Sequence, residues 1–419
     1  MDRVFITGVG FVTSIGLGRK EVARSLREMK SGISRHPELA GDDSPVKLAG
    51  CLDGFDTSSM DPEDWIYPEG FRVGRAVLRS FSPHVMYAWC AMQDAVKDAQ
   101  LSPEHISNPG TGIYTASGGS MSRIHRHFQK MEERGVMACN PMAIVASIPG
   151  TLSFNLVSAH KIQGFSCGQA SACASSGHSL GFAFDDIRRG KQKRMFVVGA
   201  EDCDFHSIVP FCGMRALSLE TDPDIASRPF DKTRQGFVST GGATVLVLES
   251  GAEVEERGVE PLCEIIGWGQ SSDGHNVAIS HPEGLGLARA MQLALEDAGV
   301  EASGIDYINA HATGTPIGDV SEIRAIRNIF GASATSVPIS STKALTGHGL
   351  SLSSAMEAGF CSLCLKEGFL PGSANIQEID PEAQDLQILK ETIDSTPEHI
   401  LTNSSGFGGA NVSIVLKKV

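Results

Sequence analysis

The stretch GGATVLVLE, residues 241–249, is answered by GGANVSIVL, residues 408–416. In each, a glycine-rich turn runs into alternating β-branched and apolar residues, the period-2 pattern of a strand. Two further pairs occur in the same order. VFITGVG (Val4–Gly10) is echoed by CEIIGWG (Cys263–Gly269). GQASACASSGHSLGFAFDDIRRGK (Gly168–Lys191) is echoed by STKALTGHGLSLSSAMEAGFCSLCLKEG (Ser341–Gly368). Both members of this last pair are turns feeding helices rich in Ala, Ser and Gly. Three echoes in one order predict two copies of one α/β unit, residues 1–252 and 253–419. The first copy is longer, with Asp42–Arg75 and Gly118–Met142 as candidate insertions. Strand-like runs (MFVVGA, ATVLVL, DYINAH, HILTNS) alternate with helical ones (MYAWCAMQDAVKDA, GLARAMQLALEDAG, VSEIRAIRNIF), which predicts helices layered on sheets. The small-residue helices fit a central layer between two sheets.

The bulk composition agrees. The chain has 419 residues, 41% hydrophobic and 20% charged, enough for a large core in an ordinary globular protein. A net charge of -14 argues against broad nucleic-acid binding, which relies on Lys and Arg against phosphates. No stretch approaches the ~20 apolar residues of a membrane span. The N-terminus MDRVFITGVG has no basic region before its apolar run and reads as a first strand rather than a signal peptide. The ten cysteines form no disulfide framework, so a reducing, cytoplasmic setting is expected. Cys361 and Cys364 form a C-x-x-C inside an apolar helical run and read as buried helix residues.

Four short stretches carry candidate chemistry. Cys173 sits among small residues at the expected first turn of a helix running to about Arg189. A helix N-terminus lowers a thiol pKa and offers free N–H groups, including that of Cys173 itself, as oxyanion donors. Taken alone, Cys173 is either a nucleophile or a small buried cysteine. His311 follows the strand DYINA and precedes Thr313, Thr315 and Pro316; it is either a strand-end catalytic group or a structural histidine. Lys343 and His348 share one glycine-containing turn, with Glu357 on the next helix placed to pair with the lysine. Asp319 and Glu322 either face one way as supports or complement a helix dipole. The glycine-rich turn Asn403–Asn411, NSSGFGGAN, can bring backbone N–H groups close to a ligand. Thr7-Gly8-Val9-Gly10 imitates a dinucleotide turn only faintly, because the third glycine is misplaced.

Together and in this order, these motifs resemble those of the elongating β-ketoacyl-acyl carrier protein synthases, nearest to the bacterial type I class. Ser171–His178 resembles the active-site cysteine motif. His311-Ala312-Thr313-Gly314-Thr315-Pro316 resembles the first histidine motif, Lys343–His348 the lysine and second histidine motif, and Gly406–Asn411 the C-terminal glycine loop. The likeness extends to Phe5–Gly16 and Ala226–Glu249. It implies a thiolase-like fold, a duplicated α/β unit in five αβαβα layers. It also implies a decarboxylative condensation with the acyl group carried on Cys173, using no cofactor and no metal. Cys173 and Phe407 would supply the oxyanion-hole N–H groups, and Phe407 would gate the pocket. His311 and His348 would stabilise the enolate, and Lys343, tied to Glu357, would orient the site. Thr313 and Thr315 would bind the pantetheine arm, and His178 would be structural. Two departures bear on the acyl substrate: Ala312 stands where fatty-acid members usually have Gly, and Asp42–Arg72 is poorly matched.

The implied partner is an acidic acyl carrier protein, so docking on this acidic chain needs local basic residues. The candidates are Arg75 and Arg79 at the start of one helix, and Arg123, Arg126 and Lys130 on another. The cluster Arg188, Arg189, Lys191, Lys193, Arg194 reads more simply as a solvated helix end. A homodimer is expected, or a heterodimer with a non-catalytic chain-length factor in a polyketide or polyene system. A thiolase proper would need a second cysteine in the C-terminal glycine loop; residues 365–419 contain none.

Overall fold

The computed structural model describes residues 1–419. Strands β1 (Val4–Thr13), β2 (Thr111–Ala116), β3 (Ser166–Gln169), β4 (Arg194–Glu201) and β5 (Gly242–Ser250) pair in the order β3-β2-β4-β5-β1. Strands β6 (Cys263–Ser272), β7 (Tyr307–Asn309), β8 (Ile339–Ser340), β9 (His399–Gly406) and β10 (Ala410–Lys417) repeat it as β8-β7-β9-β10-β6. In both sets the second, third and fourth strands in chain order are parallel, and the fifth is antiparallel to its two neighbours. The sets meet where β1 runs antiparallel to β6 over Val4–Ile6. The repeated motifs at Gly241 and Gly408 are therefore the fifth strands, and those at Val4 and Cys263 the first.

Alternation along each strand divides its side chains between two cores. Val197 and Leu246 of the first set, with Ile265, Ile400 and Ile414 of the second, enclose helices α4 (Ser175–Arg188) and α7 (Ser353–Glu367). Their neighbours Phe196, Val198 and Val245 face outward onto α1 (Pro83–Asp98) and α3 (Thr151–His160). On the other flank Ile308, Leu401 and Val415 face α5 (Leu285–Ala298) and α6 (Pro316–Phe330). The result is five layers, αβαβα. Residues Ser353–Leu365 of α7 are all buried, as a helix covered on every side requires. Cys361 and Cys364 lie among them.

The first-strand echo has a packing cause. A side chain at Gly10 would strike the Ala91 carbonyl of α1, and one at Gly8 the backbone of Ala99. Gly267 and Gly269 stand in the same relation to Ala294, Ala298 and Ala290 of α5. Each glycine pair lets a helix lie directly on its first strand. Gly10→Ala is therefore expected to destabilise the protein by about 1–3 kcal/mol through overpacking. Urea denaturation measures this, and an unchanged midpoint would contradict the packing.

No helix is long and apolar enough to cross a membrane. The Gly118–Met142 segment contains α2 (Met121–Arg134). The Asp42–Arg75 segment is largely irregular, anchored by buried Trp65 and by Phe55 edge-on to Tyr87.

Candidate active site

The turns after β3, β7, β8 and β9 converge on one pocket. Cys173, His311, Thr313, Thr315, His348 and Phe407 line it. Cys173 is buried and lies just ahead of α4 rather than in its first turn: Ala174 is the cap and Ser175 the first helical residue. Ala172 is held at φ +50°, left-handed backbone that a non-glycine residue rarely adopts, so the chain turns sharply to present the sulfur. Gly406 abuts this turn so closely that a side chain there would meet Ser171 O and Cys173 N. That contact sets the Phe407 backbone beside the nucleophile turn.

His348 Nε2 is 3.0 Å from Cys173 Sγ. The His311 ring stands edge-on to His348, centroids 5.3 Å apart. The sulfur and one nitrogen from each ring lie within 4.8 Å of one another, a grouping of soft ligand atoms as well as of catalytic ones. Below them Lys343 Nζ pairs with Glu357 Oε1, both side chains fully buried. Glu322 holds the first histidine by accepting from His311 N–H (2.9 Å), Ala312 N–H (2.7 Å) and Asn403 Nδ2 (3.1 Å). Asp319 holds the loop beyond, accepting from Gly314 N–H at 3.1 Å and pairing with Arg234 Nε at 3.1 Å. Both acids are buried braces, not exposed partners of a helix dipole. Thr313 and Thr315 hydroxyls are 3.1 Å apart on the pocket wall. His178 bonds Ser171 Oγ at 2.8 Å and so props the cysteine turn from behind.

The electrostatics correct one expectation. Burial pushes the Cys173 thiol up to about 12, while the Lys343 charge pulls it down and Glu201 pushes it further up. Burial thus opposes the lowering that a helix N-terminus alone would give. Burial, then the Lys343 charge, holds both imidazoles well below the usual histidine range. Both are neutral, each with one N–H to offer.

Several participants carried no signal in the sequence. Phe211 lies 6.3 Å from the expected gate Phe407, half-exposed at the mouth, and packs edge-on to Phe237, itself edge-on to His348. Arg215 lines the mouth. Buried Glu201 accepts from Gly118 N–H (3.0 Å) and from the Ser351 hydroxyl. Burial pushes its carboxyl up to about 7. With a folded pKa above the ordinary 4.5, the folded protein holds the extra proton between those values, so stability falls as pH rises through this window. Glu201→Gln should remove on the order of 2–3 kcal/mol of that pH-dependent loss. Urea denaturation at pH 5 and pH 8 checks it; an unaltered pH slope would contradict it.

The basic candidates separate. Arg75 and Arg79 precede α1 instead of starting it, on a short turn at Arg75–Leu78, because Pro83 fixes the helix start. Arg75 is exposed and pairs with Glu63. Arg123 and Arg126 are half-buried and each gives one hydrogen bond, to Met60 O and Ser58 O respectively, with Arg123 over the Trp65 ring. Lys130 is exposed. The 188–194 cluster is consumed by ion pairs to Asp185, Asp186, Asp297, Glu249 and Glu253.

Residues 1–253 match the family model of the β-ketoacyl synthase N-terminal domain, and residues 262–377 that of its C-terminal domain. The chain is a β-ketoacyl synthase. It is 37% identical over its whole length to 3-oxoacyl-[acyl-carrier-protein] synthase 1 of Escherichia coli K12, all of which is covered. A solved β-ketoacyl synthase from Burkholderia phymatum superposes with a TM-score of 0.91 at 34% identity, covering both chains completely. The ishigamide ketosynthase/chain length factor structure superposes at 0.88 and 28% identity, covering this chain fully and 99% of the other. The ketosynthase fold and the elongating activity implied by the motifs both stand.

Proposed function

We propose that this ketosynthase joins an acyl group, held as a thioester on Cys173, to malonyl-acyl carrier protein with loss of CO2. The observation that carries the proposal is the set of Cys173, His311 and His348 within 4.8 Å over the buried Lys343–Glu357 pair. Cys173 sulfur attacks the incoming acyl thioester; its proton ends on the departing carrier thiol. The N–H groups of Cys173 and Phe407 hold the tetrahedral oxyanion. Malonyl-carrier protein then enters past Phe407, its pantetheine arm bonded to Thr313 and Thr315. Loss of CO2 leaves its electron pair as an enolate, whose oxygen receives hydrogen bonds from His311 and His348. The enolate carbon attacks the acyl-Cys173 carbonyl, and collapse releases β-ketoacyl-carrier protein and the Cys173 thiolate, which is reprotonated. Lys343 keeps the imidazoles neutral and so available as donors, while Glu357, Asp319 and Glu322 brace the frame.

The carrier protein docks on Arg75, Arg79 and Lys130 in this reading. Arg123 and Arg126, each held by one bond to the backbone of Met60 or Ser58, belong to the same docking surface. The enzyme works in the cytoplasm as two units, 1–252 and 253–419, and as a homodimer. The outer edge strand β3 supports the dimer: three of its four residues are exposed, with exposed Phe165 just before it and exposed Phe154 on the helix α3 that packs against it. Light scattering should give twice the monomer mass, and Phe154→Glu should reduce it. A second reading is favoured by the likeness to the ishigamide ketosynthase/chain length factor: a catalytic subunit that needs such a partner.

The test is condensation with a series of acyl-carrier proteins of increasing length plus malonyl-carrier protein, read by mass spectrometry. A ketosynthase acting alone gives β-ketoacyl products. Acyl transfer to Cys173 without condensation, restored by a partner subunit, selects the second reading. Neither acyl transfer nor decarboxylation overturns both.

A further inference from the structure

Ser353 is the first residue of α7, yet its hydroxyl does not cap that helix. It is fully buried, and its Oγ has one hydrogen-bond partner, His348 Nδ1 at 3.0 Å. Across the same ring, Nε2 stands 3.0 Å from Cys173 Sγ. A neutral imidazole carries a single proton, and the partner of one nitrogen decides whether the other donates or accepts. We propose that Ser353 is the positioning residue that keeps this proton on Nε2, so that His348 donates toward the sulfur and the substrate oxygen.

The argument is one of satisfied donors. The Ser353 hydroxyl hydrogen has nowhere to go but Nδ1, since no other acceptor is in reach and the side chain is closed to solvent. If Nδ1 carried the proton instead, the serine would accept it and its own hydrogen would be left buried and unpaired. That arrangement is disfavoured by about tenfold or more. The other contacts of the ring do not choose between nitrogens. Phe237 and His311 meet it edge-on, and Lys343 acts on its charge. Beside the serine, only the Cys173 sulfur bears on the tautomer, and a sulfur is the weaker hydrogen-bond partner of the two. A donor at Nε2 matters most when negative charge builds on the malonyl thioester oxygen, and least when Cys173 first takes up an acyl group.

This inference rests on the ketosynthase reading, and its test separates the two. Histidine-selective 15N labelling of the wild-type enzyme, with His348 assigned by its absence in His348→Asn, reads the tautomer directly. The expected signal is a protonated Nε2; a protonated Nδ1 overturns the proposal. In Ser353→Ala, kcat for condensation should fall about 10- to 100-fold. KM for malonyl-carrier protein and the rate of Cys173 acylation should stay within about threefold, at an unchanged melting temperature. An unchanged kcat overturns the proposal, as does an equal fall in acylation and condensation. A wild-type enzyme that does not condense refutes the assigned reaction, while the labelled spectrum still reports on Ser353.

Discussion

Cys173→Ala is expected to lower condensation by about four orders of magnitude or more, with no acyl group retained on the protein. The sulfur is the only thiol lining the pocket, and a hydroxyl there is a far weaker nucleophile. His311 and His348 are main-chain-anchored through Glu322 and the Lys343–Gly349 turn, so the substitution leaves them in place. The variant should therefore still release CO2 from malonyl-carrier protein, because enolate formation uses the imidazoles rather than the sulfur. Intact-mass analysis measures the first part and trapping of CO2 the second. A variant that still condenses would remove Cys173 from the mechanism.

Glu357→Ala should cause the largest loss of stability of any single change in the site, about 3–5 kcal/mol. Lys343 and Glu357 are both fully buried and paired with each other. Without the carboxylate, a fully buried ammonium is left without its ion-pair partner, which is far costlier than the loss of one contact. The cation that helps keep the imidazoles neutral would lose its fixed position. Activity should fall together with the denaturation midpoint. Glu357→Gln, which keeps the volume and an acceptor oxygen, should lose less of both. A Glu357→Ala enzyme of wild-type midpoint would show that the pair does not hold the site together.

Much of this was legible in the chain itself. The duplication could be read because packing imposed the same residues twice: Gly8 and Gly10 under α1, Gly267 and Gly269 under α5. The catalytic motifs could be read because turns that present side chains to a pocket need Gly and small residues at fixed offsets, as around Cys173 and His348. Other bracing residues could not, unlike Asp319, Glu322 and Glu357. Glu201, Arg234, Asn403, Phe211 and Phe237 come from distant parts of the chain and meet only in the fold. Ser351 and Ser353 are hidden in a helix rich in serine, where nothing local separates a functional hydroxyl from a small packing residue. The electrostatic setting of Cys173 escapes the sequence for a related reason. A helix N-terminus is visible in sequence, whereas the depth of burial that pushes the thiol up to about 12 is not. Arg123 and Arg126 likewise look free on a helical pattern, and only the folded Asp56–Ile66 segment shows what they hold.

The most direct measurement follows one acyl group. Wild-type enzyme is mixed with acyl-carrier protein, and intact mass and peptide mapping locate the adduct before and after malonyl-carrier protein is added. The predicted result is a single acyl group on the peptide containing Cys173, discharged as β-ketoacyl-carrier protein with one CO2 released per turnover. An acyl group on any other residue, or one on Cys173 that malonyl-carrier protein fails to discharge while CO2 is released, would contradict the mechanism.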